Sequence, residues 1–171
     1  MYRPQHDIDL ILDHARSNGI TISILPQFKS NNNAAEVCLY SKEITVWVKK
    51  RAAKSAIIAS LLHELGHLRS FLEDRKLFDH YFEASLLDNP TKADRFVIYT
   101  REMLDISRMV EIADSLALGI PRDYLRANRD MDIWQYYYWY MNGKYPDKQQ
   151  RVAKQNELTE RYQLRYPLRG H

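Results

Sequence analysis

The sequence predicts an α+β domain. It should have an N-terminal helix, a short three-stranded sheet with a hairpin, one strongly amphipathic helix, and a mostly helical C-terminal half. Three observations predict this. Short β-branched, alternating runs lie between Ile20 and Val48, and from Ala52 onward the apolar spacing shifts to the three-and-four rhythm of helices. Apolar residues make up 45% and charged residues 27% of 171 residues, an ordinary soluble globular composition of one-domain size.

Ile8, Leu10, Ile11, Leu12 and Ala15 form a helical stripe that stops at Gly19, so a helix is expected over about 7–18. Ile20-Thr21-Ile22-Ser23-Ile24 alternates and reads as a strand ending before Pro26. Ser30-Asn31-Asn32-Asn33 reads as a loop. Glu36 to Tyr40 and Glu43 to Val48 then flank Ser41-Lys42, which suggests a hairpin. Ile57, Ile58, Leu61, Leu62, Leu65 and Leu68 define a wide apolar helical face through about residue 72. A helix near 76–86 should break at Asn89-Pro90, and a long one should run from Lys92 to Leu118 and stop at Gly119-Ile120-Pro121. The last fifty residues look helical and carry the aromatic run Trp134 to Tyr140. Contiguous aromatics point all round a helix, so core packing or covering of the rest is the expected role.

Lys+Arg 25 against Asp+Glu 22 gives a net charge of +3, too small for a dedicated nucleic-acid binder. The single cysteine, Cys38, excludes an internal disulfide and fits a reducing compartment; its place on a strand predicts that it is packed. The N-terminus has no signal-peptide core, and Ala56 to Leu62 is far short of the ~20 apolar residues a membrane span needs. A cytoplasmic protein without membrane contact is the expectation. Lys49-Lys50-Arg51 with Lys54 reads as a solvated basic loop.

The chemistry is carried by His63-Glu64-Leu65-Gly66-His67, an H-E-x-x-H pattern inside the best-defined amphipathic helix. Residues i and i+4 share one helical face, so the two imidazoles can reach one zinc ion. Glu64 is offset and can accept a proton from water instead of binding the metal. Gly66 costs a helix about 1 kcal/mol against alanine, which suggests that something approaches its backbone closely. A catalytic zinc wants a third protein ligand. The candidates are downstream carboxylates. Glu111, among Val110, Ile112 and Ala113, is favoured; Glu102 and Asp105 are rivals. Asp114 is a candidate hydrogen-bond partner for a ligand histidine. His80 or a tyrosine is a candidate oxyanion donor.

Glu36 to Leu68, and above all Leu61-Leu62-His63-Glu64-Leu65-Gly66-His67-Leu68, resembles the ImmA/IrrE metallopeptidases, a bacterial and phage group of HExxH gluzincins. Ala113-Asp114-Ser115-Leu116-Ala117 and Pro121 resemble the end of that family's third-ligand helix. The resemblance covers about residues 5–126. It implies a small zincin-like domain over 1–126, with 127–171 a helical, aromatic-rich extension packed on it. It also implies one Zn2+ per chain, endopeptidase activity on a protein or peptide substrate such as a regulatory repressor, and no direct nucleic-acid contact. Family geometry implies that the strand 43–48 offers an edge to substrate. The alternative is a catalytically inactive zincin-scaffold binding protein acting through its C-terminal aromatic region. Neither reading specifies an oligomeric state.

Overall fold

The computed structural model describes residues 2–27, 35–49, 52–165 and 168. The expected loop at 30–33 and two members of the basic cluster, Lys50 and Arg51, lie outside them. The elements are α1 (Pro4–Ser17), β1 (Thr21–Pro26), β2 (Ala35–Cys38), β3 (Glu43–Val48), α2 (Lys54–Glu73), α3 (Arg75–Ser85), α4 (Lys92–Ser115), α5 (Arg122–Asn142) and α6 (Lys148–Arg161). The α+β class and the order of elements follow the sequence reading. Among the described residues, no helix is long and apolar enough to cross a membrane.

Several boundaries shift for local reasons. α1 starts at Pro4 because proline suits the first helical turn, where its missing N–H has no intrahelical acceptor. It ends at Ser17, and Gly19 just beyond it takes the left-handed conformation at φ +66° that a glycine after a helix end allows. β1 extends to include Pro26, which is tolerable because β1 is an edge strand. β2 stops at Cys38, and Leu39 to Lys42 form the turn, with Lys42 at φ +54°. α4 begins with a capping box in which Thr91 and Asp94 satisfy each other's backbone N–H groups. It ends at Ser115, three residues earlier than expected, because Ala117 rather than Gly119 adopts the left-handed turn at φ +50°. The Gly119 N–H instead donates to the buried Asp7 carboxylate at 2.8 Å, tying the end of α4 to α1.

The sheet order is β1-β3-β2, with β1 parallel and β2 antiparallel to β3. β3 is therefore central and paired on both sides, so it offers no free edge to a substrate. The edge strands are β1 and β2. In β2, Val37 lies opposite the fully buried Ile44, which turns Glu36 and Cys38 outward. Cys38 is thus exposed, not packed.

The core joins Ile8 and Ile11 of α1, Ile44 and Val46 of β3, Ile58, Leu61, Leu62 and Leu65 of α2, Ile106 and Met109 of α4, and Leu125 of α5. α5 runs unbroken through residues 126 and 127, the boundary expected from the resemblance. Its aromatic run divides by facing. Tyr137 and Tyr140 meet Tyr99 of α4, Tyr138 accepts a hydrogen bond from Gln150 of α6, and Trp139 stacks on Tyr145.

α2 and α4 pack backbone to backbone at Gly66. A Cβ there would overlap the backbone carbonyl oxygen of Asp105. The glycine inferred to admit a neighbour admits the backbone of α4. Gly66→Ala should therefore cost at least about 2 kcal/mol of folding stability in urea denaturation, because the obstructing atom is backbone and cannot rotate aside. A loss below about 0.5 kcal/mol would contradict this crossing.

Candidate metal centre

α2 presents His63, Glu64 and His67 toward a cleft of about 570 Å³, walled by β2 (Ala35, Val37), α3 (Tyr81) and α5 (Asp132, Tyr136). Leu61, Leu62 and Leu65 of α2 point the other way into the core, as its amphipathic pattern requires. The crossing at Gly66 brings α4 close enough for Glu102 to join the two imidazoles.

His63 Nε2 and His67 Nε2 are 3.0 Å apart. Glu102 Oε2 lies 3.5 Å from the first and 3.4 Å from the second. A tetrahedral ion with bonds of about 2.0–2.2 Å spaces its ligands about 3.3–3.5 Å apart, so this triangle has nearly the edge lengths of one tetrahedral face. Among the described residues these three form a group able to hold a metal ion. Glu102 Oε1 accepts a hydrogen bond from Tyr81 Oη at 2.9 Å, whereas Oε2 is buried and has no hydrogen-bond partner. A buried carboxylate oxygen without a donor is costly. One directed at two imidazole nitrogens is placed for a cation, so the residues fit a metal ion.

The outer nitrogens of both rings face carboxylates. His67 Nδ1 lies 2.7 Å from Asp105 Oδ2, which also accepts from Arg101 Nε at 3.0 Å. His63 Nδ1 lies 3.5 Å from Asp132 Oδ2. Burial works against ionising Glu102, but the His67 and His63 rings and the Tyr81 hydroxyl pull it down to about 2. Burial likewise opposes protonation of the imidazoles. It is outweighed at His63 by Asp132 and Glu102, and at His67 by Glu102 and Asp105, so both are raised. Burial raises Glu64, and the two imidazoles only partly offset it.

Glu102, not the favoured Glu111, therefore completes the group. The reason is helical phase. Nine residues at about 100° each place Glu111 half a turn from Glu102, about 13.5 Å further along α4. The Glu111 side chain is 64% exposed and lies 3.9 Å from Arg69 Nη1. Asp114 also faces outward, paired with Arg122 Nε at 2.6 Å, so it supports no histidine. Asp105, considered as a ligand, instead faces the outer nitrogen of His67. His80 is exposed on α3, while its neighbour Tyr81 enters the cleft. The stripe of Ile98, Glu102, Asp105, Ile106, Met109, Ile112 and Ala113 was the available signal for Glu102, since it lies in phase with the buried face. Asp132 had no comparable signal, because it reaches the site from a different part of the chain.

Comparison of the chain with protein-family models, curated proteins and solved structures finds no match.

The raised imidazoles set a pH dependence. Groups with raised folded pKa values contribute stability that is fully present below their unfolded value of 6.5 and is lost as pH rises through the folded value. A divalent cation, zinc or cobalt, must displace those protons and binds more tightly as pH rises. The difference in melting temperature between metal-loaded and chelator-treated protein should therefore widen from about pH 6 to about pH 8. A difference that stays constant over that range would contradict this coupling.

Proposed function

We propose that the chain is a zinc-dependent endopeptidase on a zincin-like fold, hydrolysing a peptide bond in a protein substrate. One observation carries the reading. His63 Nε2, His67 Nε2 and Glu102 Oε2 stand 3.0–3.5 Å from one another, with Glu64 beside them on the wall of an open cleft. Two imidazoles and one carboxylate are a catalytic zinc set that leaves a position open. The resemblance of Glu36 to Leu68 to the ImmA/IrrE peptidases supports it and suggests a regulatory repressor as the substrate class.

When bound, zinc would supply Lewis acidity toward water and the scissile carbonyl. Glu64, made more basic by burial, takes the proton of the attacking water and delivers it to the leaving amine. Tyr136 and Tyr145 line the same cleft and replace His80 as the candidate donors to the developing oxyanion. β2 supplies Ala35 and Val37 to the wall, so its edge takes over the role expected of the strand 43–48 and orients an extended peptide.

A second reading, an inactive scaffold that binds a partner, is favoured by exposed Phe96, Tyr137 and Met141 on α4 and α5. Substitutions separate the two. His63→Ala and Glu102→Ala should each lower bound zinc, measured by elemental analysis, by at least about tenfold, while Glu111→Ala leaves it unchanged. Glu64→Gln should retain zinc and lose peptide hydrolysis by about a thousandfold or more. Unchanged function in the Glu64→Gln protein would favour the scaffold.

A further inference from the structure

We propose that Asp132 of α5 is a positioning residue for the metal ligand His63, fixing its ring so that Nε2 points at the ion. This rests on the metal site proposed above. His63 Nε2 faces Glu102 Oε2 and His67 Nε2, so a metal must be taken at Nε2 and the ring proton must sit on Nδ1. A proton on Nδ1 needs an acceptor in a buried place. Asp132 Oδ2, 3.5 Å from Nδ1, is that acceptor.

The surroundings of Asp132 support this. Its side chain is 17% exposed. Among the described residues the one hydrogen bond it accepts is a long one, from Gln135 Nε2 on its own helix at 3.5 Å. A carboxylate largely removed from water needs stronger compensation than that, and the imidazole N–H supplies it. The two ligand rings are thus held from two helices. Asp105, backed by Arg101, holds His67 from α4. Asp132, with no Lys or Arg partner among the described residues, holds His63 from α5. The aromatic helix belongs to the metal site, because it carries one of the two carboxylates that orient the ligands.

The test measures zinc affinity by competition with a chromophoric chelator for the wild-type chain, Asp132→Ala and Asp132→Asn. Removing the acceptor should weaken zinc about 10–100-fold in D132A. D132N keeps an acceptor oxygen without the charge and should lose less. If D132A does not fold by circular dichroism, D132N carries the comparison, with a loss of at least about threefold expected. In the zinc-loaded wild type, proton NMR should show a slowly exchanging signal from the His63 Nδ1 proton. A loss of packing alone would not remove that signal selectively, whereas D132A should. Variants that bind zinc within twofold of wild type and keep the signal would overturn the role of Asp132 and leave the metal site standing. A wild-type chain that binds no zinc would overturn both.

Discussion

The site depends on how closely two helix backbones can approach. α2 and α4 cross where Gly66 leaves room for the carbonyl of Asp105, and no other residue type would fit there without moving one helix. The crossing lies one residue from His67 and three from Glu102. It sets the separation between a pair of imidazoles and the carboxylate that completes their triangle. The ordinary packing of Leu61, Leu65, Ile106 and Met109 in the core holds that separation rigid. A glycine that weakens an isolated helix by about 1 kcal/mol is thereby what allows His63, His67 and Glu102 to come together.

Close approach also concentrates charge. Glu102, Asp105 and Glu64 are buried within one region, with Asp132 at its margin. Buried carboxylates are costly unless each meets a partner. Arg101 and His67 meet Asp105, Tyr81 meets one oxygen of Glu102, and His63 meets Asp132. The second oxygen of Glu102 and the inner nitrogens of both histidines remain directed at one another. A divalent cation satisfies all three atoms at once, which gives the electrostatics and the geometry a common explanation.

The parts of this arrangement that lie within one element were legible in the sequence. The i, i+4 histidines, the offset Glu64 and the odd glycine all sit on α2, where helical periodicity alone fixes their relative directions. The third member of the group was not, because it depends on which face of α4 meets α2. Apolar neighbours of Glu111 suggested burial, but neighbours in sequence point away from one another on a helix. The residues three and four apart, Glu102 with Asp105 and Ile106, are the ones that share its face. Cys38 illustrates the same limit in a strand, where a shift of one position decides between core and solvent. Asp132 and the paired state of β3 depend on tertiary arrangement, which no local pattern carries.

The most direct test of the account is zinc K-edge X-ray absorption on the protein loaded with one equivalent of metal. Four nitrogen or oxygen ligands at about 2.0–2.1 Å, with the scattering signature of two imidazoles, are expected. A six-coordinate ion, or one bound through a single imidazole or none, would contradict it.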